Sequence, residues 1–255
     1  NLVYLGRLLS MEINELVSIS QGPLAIMNPT SPEKVLAAGR AAGLREETRV
    51  VETGCGNGTI LSLWGREYGI SGVGIEARED ACGRAEQAFL EAGLGNLITV
   101  RCMDAREYVP DEPFDCAAAV GASHIWGGFP ATLDALLGMV SDEGTIIIGD
   151  RCWRSDRTPP EFAREWPDIL TGYEILDTVR GIGLDVATVI HSSGDDWDRY
   201  ESGIWQAVLA WLRNHPDHPD RDFVLDYLHR LQDEYFGYGR EYMGWAIYVL
   251  VPGFW

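Results

Sequence analysis

The sequence predicts an α/β protein with a doubly wound parallel sheet, and two observations carry that prediction. Short apolar runs of strand length alternate with amphipathic helical patterns over most of the chain. Within this alternation, residues 50–60 (VVETGCGNGTI) pass from an apolar strand through three glycines into a helical pattern. A strand, a glycine turn and a helix start together form a cradle for a nucleotide. We therefore expect a sheet covered by helices on both faces, with a ligand at the glycine turn.

The elements of this sheet follow in order along the chain. Ser31 caps a helix whose first residue is Pro32, a favoured N-terminal arrangement, and that helix ends near Gly43. Strands are predicted at 49–53, 72–76, 97–103, 114–120, 144–149, 185–190 and 244–251. The helices between them are predicted at 57–68, 79–92, 130–140 and 174–182.

Two helical regions lie outside the alternation. Residues 1–20 are expected to form one or two short helices whose apolar members are Leu2, Leu5, Leu8, Leu9, Ile13 and Leu16. Residues 195–240 hold two long helical segments between the last two strands, and connections this long often serve as lids. The predicted organisation is an N-terminal helical lid (1–30), a cofactor-binding core (31–192), a helical insertion or cap (193–242) and the last strand of the core (243–255).

The charge of the chain argues against a nucleic-acid partner. The 255 residues include 39 Asp or Glu and 20 Lys or Arg, for a net charge of −19. Lys34 is the only lysine, and no basic cluster is present to attract a phosphate backbone. No apolar run is long enough to cross a bilayer, and no secretion signal opens the chain. We therefore expect a cytoplasmic protein that has neither a nucleic-acid nor a membrane partner.

The cysteines predict neither a disulfide framework nor a metal site. The five of them form no CxxC pair and are odd in number: Cys55, Cys82, Cys102, Cys116 and Cys152. Cys102 and Cys116 fall in predicted core strands. Reduced, buried thiols are the expected state in a cytoplasmic protein.

Three acidic residues mark the ends of successive predicted strands. Glu52 ends the first, Glu76 ends the second, and Asp104 follows the third. In a doubly wound sheet these ends share one edge, where ligands bind. A carboxylate after the second strand can accept hydrogen bonds from both ribose hydroxyls, and one after the third can accept from an adenine amino group. A carboxylate at the first loop can attract an ammonium group.

This series of acids favours S-adenosylmethionine over a dinucleotide. The glycines are spaced GxGxG, whereas dinucleotide sites usually read GxGxxG and place a pyrophosphate at the helix N-terminus. Glu52 would lie unfavourably beside a pyrophosphate. Glu76 alone does not decide, because NAD proteins also place an acid at that strand end, so NAD or FAD is the alternative. The residues expected to hold the cofactor are Glu52, Gly54, Cys55, Gly56, Gly58, Glu76, Ala77, Asp104, Ala105 and Gly121.

On these residues the chain resembles the class I S-adenosylmethionine-dependent methyltransferases. Residues 52–58 (ETGCGNG) match the family's first motif, and the resemblance covers roughly residues 30–190 and the last strand. It implies a Rossmann-like, seven-stranded sheet in the order 3-2-1-4-5-7-6 with strand 7 antiparallel. The chain is also similar to a microbial branch with MNP at 27–29, GASH at 121–124 followed by glycines at 127–128, and DDWDRYE at 195–201. That branch commonly carries Tyr-Trp where this chain has Cys152-Trp153, and its label names no substrate.

The acceptor of the methyl group is expected beyond the fourth strand, within residues 120–128. The Asn/Asp-Pro-Pro-Tyr-like signature of enzymes that methylate DNA or protein amino groups is absent there. The Asn28-Pro29 pair lies before the first strand and is not expected to replace that signature by position. His124 is the only titratable ring in this stretch and is the candidate general base. A substrate contact without proton transfer and a purely structural role are the alternatives.

Further substrate contacts are expected at Ser123, Trp126 and Trp153. Arg151 can attract an acidic substrate or form a surface salt bridge. Five aromatic residues can form a box over a cationic or planar acceptor, although aromatics at helical spacing are more often part of a core. They are Trp126, Trp153, Trp197, Tyr200 and Trp205.

The sequence thus predicts an enzyme that methylates a small molecule by in-line displacement. A closed chamber lined by aromatic residues suits a small molecule better than a polymer. The alternatives are a module that binds S-adenosylmethionine or S-adenosylhomocysteine without turnover, and a nicotinamide oxidoreductase. The acceptor atom (O, N, S or C) and the oligomeric state are not predicted.

Overall fold

The computed structural model describes residue 11 and residues 13–253. Its helices are α1 (Ile13–Ser20), α2 (Pro32–Ala41), α3 (Thr59–Tyr68), α4 (Glu79–Glu91), α5 (Phe129–Leu137), α6 (Pro160–Ala163), α7 (Gly172–Gly181), α8 (Gly194–Asn214), α9 (Arg221–Glu234) and α10 (Arg240–Tyr242). Its strands are β1 (Arg49–Thr53), β2 (Ser71–Glu76), β3 (Ile98–Cys102), β4 (Phe114–Val120), β5 (Val140–Trp153), β6 (Leu170–Thr171), β7 (Leu184–His191) and β8 (Met243–Pro252).

The strands form one sheet in the order β3-β2-β1-β4-β5-β8-β7. Strand β8 is antiparallel to both of its neighbours, and the other pairs in the sheet are parallel. The predicted Rossmann-like α/β fold, with seven strands in this order and the last one antiparallel, is confirmed. The two-residue strand β6, which pairs with the end of β5, is an addition that the sequence did not predict.

Strand β5 differs most from its predicted bounds of 144–149. It runs from Val140 to Trp153, so Asp150 and Arg151 lie within a strand rather than in a loop that follows one. Backbone pairing explains the extra length, since Asp150 lies opposite Ala246 of β8. Pairing also ends the helix before β5 earlier than predicted, because Val140 is already in register with Phe114.

Apolar side chains pack against both faces of the sheet. On one face, α2, α3 and α4 contribute Val35, Trp64 and Phe89, each with at most 2% of its surface exposed. On the other face, α5 and α7 contribute buried residues that include Leu133 and Val179. Helices on both faces explain why the strands read as nearly continuous apolar runs.

The inserted helices α8 and α9 pack against α1 and form a third apolar cluster. Leu16 of α1, Val208 of α8 and Val224 of α9 are its buried members at the three-helix junction. The leucines expected at positions 2, 5, 8 and 9 lie outside the described residues. Of the predicted N-terminal helices, the structure therefore describes the part that begins at Ile13.

Two ion pairs hold the start of α8 in place. Ser193 and Asp196 form a capping box at the N-terminus of α8. The buried Asp196 carboxylate also pairs with Lys34 of α2, the only lysine of the chain. Further along α8, Asp198 forms an ion pair with Arg240, in which Asp198 Oδ1 lies 2.9 Å from Arg240 Nε. The pair of Asp196 with Lys34 thus anchors the insertion to the core, whereas the pair of Asp198 with Arg240 joins two parts of the insertion.

The cysteine prediction is wrong for one pair. Cys82 of α4 and Cys102 of β3 form a disulfide whose Cα atoms are 5.9 Å apart. Cys55, Cys116 and Cys152 are free and buried, as expected. The pairing was not visible in the sequence because the two cysteines meet only when α4 packs back across β3. In the described part of the chain, no helix has the length and hydropathy to cross a membrane.

Candidate active site

The glycine turn connects β1 to α3 at the carboxyl edge of the sheet. The amide of Gly56 donates a hydrogen bond to Glu76 Oε2 at 2.9 Å, so the turn and the end of β2 are tied together. A Cβ atom on Gly56 would collide with the methyl group of Met27. The absence of a side chain at position 56 therefore lets Met27 pack closely against this turn, and Gly56, with φ of +54°, also lines the cavity.

Gly58 has a different role from the other two glycines. Its φ is +72°, and a Cβ there would lie 2.7 Å from Phe89 Cζ and 3.1 Å from Ala85. Gly58 therefore permits close packing of α3 against α4. Gly58 does not line the cavity at the turn, so the structure does not place it with the other residues that were predicted to hold the cofactor.

Glu76 lies at the centre of the cofactor side of the site and is 7% exposed. Its Oε1 accepts from the backbone amide of Arg78 at 3.0 Å and from the guanidinium Nε at 3.2 Å. With Gly56 on the other oxygen, the carboxylate is held by one charged and two backbone donors. This arrangement fixes the orientation of a carboxylate at the end of β2.

Glu52 is the most deeply buried acid of the site, with 1% of its surface exposed. Burial raises its pKa well above the usual range, and the nearby Glu76 raises it further. Among the described residues, no donor reaches Glu52 Oε2. A buried carboxyl oxygen without a partner is costly unless a ligand satisfies it. Position and charge therefore fit a ligand that brings an ammonium group to the glycine turn.

Asp104 follows β3 and caps a short 3₁₀ turn at Ala105–Glu107. Arg106 donates to its carboxylate from the backbone amide at 2.9 Å and from Nε at 3.0 Å. These charge-assisted bonds lower the pKa of Asp104 to about 2. Asp104 is therefore ionised at neutral pH and lies at the edge of the cavity. A donor group of a ligand would compete with Arg106 for its carboxylate oxygen atoms.

One cavity of about 730 Å³ joins these acids to the inserted helices. Nine of the ten residues predicted to hold a cofactor line it, all except Gly58: Glu52, Gly54, Cys55, Gly56, Glu76, Ala77, Asp104, Ala105 and Gly121. The far half of the cavity lies beyond β4 and beneath α8 and α9. Helix α1 also borders it, through Asn14, Leu16 and Val17.

Asn28 reaches the end of β4 across a separation of 92 residues. Its side-chain Nδ2 donates to the Val120 carbonyl oxygen at 2.9 Å. Gly121, with φ of +80°, has no room for a Cβ because the Asn28 side chain fills that space. Asn28 therefore lies at the end of the fourth strand although it precedes the first strand in the sequence, and its side-chain amide is engaged by the Val120 carbonyl oxygen. Gly121 makes room for Asn28 and also lines the cavity.

His124 lies in a 3₁₀ turn after β4 and borders the cavity. Its ring is exposed to the cavity, yet the surrounding walls displace enough water that burial lowers its pKa below 6.5. The positive charge of Arg151 lowers the pKa of His124 further, whereas Asp150 opposes that effect. His124 is therefore neutral at pH 7 and can accept a proton.

The predicted substrate contacts divide into two groups. Ser123 is 3% exposed and lines the cavity beside His124. Trp126 and Trp153 do not line the cavity. Trp126 packs against the apolar core around α5. Trp153 meets Phe162 edge to face, with the two ring centres 5.6 Å apart. Position 153 faces α6, whereas Arg151 faces the cavity with its guanidinium 4.4 Å from the Trp166 ring.

The aromatic lining differs from the predicted box. Trp197 and Tyr200 line the cavity, whereas Trp126, Trp153 and Trp205 do not. Three lining aromatic residues were missed by sequence reasoning: Trp166, Tyr227 and Trp245. Their local sequence carries no motif, and only the packing of separate elements brings them together.

The inserted helices each turn one continuous face to the cavity. The lining residues of α8 are Trp197, Tyr200, Glu201 and Ile204, and those of α9 are Tyr227, Arg230, Leu231 and Glu234. Both sets have i, i+3, i+4, i+7 spacing, which places them on one side of a helix. Glu201 and Glu234 could have been found from the sequence, because each is a carboxyl residue at a position that shares a helix face with apolar residues.

Comparisons with known proteins agree with this geometry. A family profile described as a methyltransferase domain matches residues 50–144. YjhP of Escherichia coli (strain K12) is 30% identical over 246 residues, which cover 94% of this chain and 99% of that protein.

Two solved structures are similar over nearly the whole chain. A SAM-dependent methyltransferase from Thiobacillus denitrificans, in complex with S-adenosyl-L-homocysteine, is 32% identical with a TM-score of 0.88, covering 95% of this chain and all (100%) of that one. One from Geobacter sulfurreducens, in the same complex, is 33% identical with a TM-score of 0.88, covering 94% of this chain and 99% of that one.

Proposed function

The chain belongs to the class I S-adenosylmethionine-dependent methyltransferases, and on that premise we propose that it methylates a small molecule held between β4 and the inserted helices. The protein is an enzyme, and its cofactor is S-adenosylmethionine, since both similar methyltransferases bind the demethylated product. The proposal adds the kind of acceptor, the direction of its approach and the residues that act.

The observation that carries the proposal is the shared cavity. One continuous space connects the acids at the ends of β1, β2 and β3 with an aromatic chamber under α8 and α9. The first half is lined by carboxylates and by the glycine turn, and the second half is bounded by the end of β4 and by the inserted helices. A chamber of this kind admits a small molecule and leaves little room for a polymer. The net charge of −19 supports the exclusion of nucleic acid.

The cofactor half assigns a role to each acid. Glu76 accepts hydrogen bonds from the ribose hydroxyls, and Asp104 accepts from the adenine amino group. Glu52 offers its unpartnered Oε2 to the ammonium group of the methionine moiety. Glu52 is the most deeply buried of the three, whereas the oxygen atoms of Glu76 and Asp104 already accept hydrogen bonds and would share them with the cofactor.

S-adenosylmethionine supplies a methyl group that is already activated by a positively charged sulfur. The chain's own residues therefore need to orient the acceptor and exclude water. His124 is neutral at pH 7 and borders the acceptor half, so it takes the proton from an acceptor that must lose one. Ser123 adjoins it in the same turn and contacts the acceptor.

Helix α1 and the insertion act as the cover of this chamber. Helix α1 borders the cavity on one side, while α8 and α9 close it on another. As part of the same proposal, residues 1–30 and 193–242 are the lid and the cap, and the reaction takes place in the cytoplasm.

Methyl transfer from tritiated S-adenosylmethionine into cell extract tests the proposed function. Extract is separated into a small-molecule fraction and a macromolecular fraction, and each is incubated with the purified enzyme. We expect label to enter the small-molecule fraction only. The Glu76→Ala variant serves as the control for transfer that depends on this site. Label that appears in protein or nucleic acid instead would overturn the small-molecule assignment.

A further inference from the structure

The half of the cavity that faces the acceptor contains a carboxyl group with one buried oxygen atom that has no partner among the described residues. Glu201 lies on the inward face of α8, between Trp197 and Ile204. Its Oε2 is shielded from solvent and, among the described residues, has no hydrogen-bond donor. A polar atom of this kind carries a free-energy cost when it is left unpaired. Such a cost on the lining of an enzyme chamber indicates a ligand group that removes it.

The environment of Glu201 shows which charge is missing. Burial raises its pKa to about 8, and the next influence is the negative charge of Glu234, which raises it further. Both of these influences disfavour the ionised form of Glu201. A cation placed beside it would reverse that balance, because an opposite charge within a few ångströms favours the carboxylate.

The two arginines of the chamber, Arg151 and Arg230, do not supply that cation. Arg151 lies over the Trp166 ring at 4.4 Å, and Arg230 lies 5.9 Å from the Tyr227 ring centre. Both lower the pKa of Glu234, so their charge acts on that carboxyl rather than on Glu201. The chamber also holds Asp150, so three carboxyl groups face two guanidinium groups.

The walls around Glu201 are aromatic. Trp197 and Tyr200 meet edge to face with ring centres 6.3 Å apart, and both line the cavity. Aromatic faces attract cations, most strongly when water is excluded. The indole N–H of Trp197, which is 5% exposed, has no acceptor among the described residues. The chamber thus offers a carboxyl group and ring faces to a cation, and a donor to a neighbouring oxygen atom.

We propose that the acceptor carries a protonated amine and that Glu201 of the inserted helix α8 binds it. The inference rests on the proposed function, since it specifies what the second half of the same cavity holds. Glu201 binds the ammonium group by a charge-assisted hydrogen bond, and Trp197 and Tyr200 surround it. The amine need not be the methylated atom, because His124 and the end of β4 determine where the nucleophile lies.

The test compares three probes of one shape and different charge. Phenethylamine, 2-phenylethanol and phenylacetate are titrated into protein that has been saturated with S-adenosyl-L-homocysteine, and heat is measured by calorimetry. We expect the amine to bind at least about tenfold more tightly than the alcohol, and the anion to bind most weakly. An amine that binds no better than the alcohol, or does not bind, overturns the proposal.

Two variants assign the effect to Glu201. Glu201→Gln keeps the shape of the side chain and should weaken amine binding by about tenfold, while changing alcohol binding by less than about twofold. Asp226→Asn converts a carboxyl group to an amide on the exposed side of α9 and should change neither affinity. Equal affinity of the amine for wild type and Glu201→Gln counts against the role of Glu201. Failure of S-adenosyl-L-homocysteine to bind would instead count against the proposed function, so the two failures are distinguishable.

Discussion

The side-chain amide of Asn28 donates to the Val120 carbonyl oxygen at 2.9 Å, joining the segment before α2 to the end of β4. Asn28 occupies the space that a side chain at position 121 would need, which explains the glycine there. The contact places an N-terminal residue at the same strand end as the candidate base. It therefore joins the segment before α2, which lines the cavity, to the strand end that precedes the turn of His124.

Gly121→Ala should be more damaging than an ordinary substitution at positive φ. The new Cβ would collide with Asn28, and the backbone conformation is strained for alanine, so we expect a loss of about 2–4 kcal/mol in the free energy of unfolding. Gly127→Ala is the matched control, because Gly127 has φ of +85° but, among the described residues, no non-adjacent atom lies within 4 Å of the position that its new methyl group would take. That control should lose only about 1 kcal/mol. Urea unfolding of both variants gives the comparison, and equal losses would contradict the packing role of Asn28.

Glu76→Ala should weaken binding of S-adenosylmethionine by about 1.5–3 kcal/mol, because charge-assisted hydrogen bonds to the ribose are lost. Glu76→Gln separates this effect from damage to the glycine turn, since its amide oxygen can still accept from the Gly56 amide. The Glu79→Ala variant, at an exposed position in the first turn of α4, is the control. Calorimetric titration measures all three. Unchanged affinity in Glu76→Ala would remove the ribose assignment.

His124→Asn should lower kcat by about 10²- to 10⁴-fold while leaving the affinity for S-adenosyl-L-homocysteine unchanged. In the wild type, burial and Arg151 depress the pKa of His124, so the rate should fall with acidity only below pH 6.5. Arg151→Met should move that midpoint upward. A pH–rate profile with the labelled acceptor fraction measures both. If His124 has only a structural role, replacing Arg151 will leave the acidic side of the pH–rate profile unchanged.

The stability of the empty enzyme should depend on pH through Glu201. Its pKa is about 8 when folded and near 4.5 when unfolded, so the folded state holds the extra proton between these values. Stability is therefore lost as pH rises from about 4.5 to 8, by about 2–4 kcal/mol from this group. Glu201→Gln should flatten this part of the profile and melt at a higher temperature than wild type at pH 8. Parallel wild-type and variant profiles would contradict the assignment.

Removal of the disulfide should destabilise the oxidised protein. The Cys82–Cys102 bond closes a loop with a sequence separation of 20 residues. Its loss in Cys102→Ser should therefore lower the free energy of unfolding by about 2–4 kcal/mol. Dithiothreitol should produce a similar loss in the wild type and no further change in the variant. A wild type that is insensitive to the reductant would show that these thiols are not joined in solution.

The sequence by itself determined the strands, and its resemblance to a methyltransferase family implied their order and the residues expected in the cofactor half of the site. Glu52, Glu76 and Asp104 each lie at or just after the end of a short apolar run, and parallel strands place such residues at one edge whatever covers them. Local periodicity suffices to place the strand ends, because the side-chain repeat of a strand and the position of its end are properties of a few neighbouring residues. The order of the strands in the sheet was implied by the family resemblance.

Only the tertiary structure decided what the acceptor half contains. Asn28 reaches β4 because chain segments 92 residues apart pack together. Trp153 meets Phe162 of α6 whereas Arg151 faces the cavity, a difference that depends on what packs against each part of β5. Glu201 is in an apolar helical stripe, but the sequence does not tell which surface that stripe meets. The residues that line the chamber are brought together by long-range packing. The hydrophobic pattern of one helix or strand does not indicate which other helix or strand packs against it, so the sequence could not identify them.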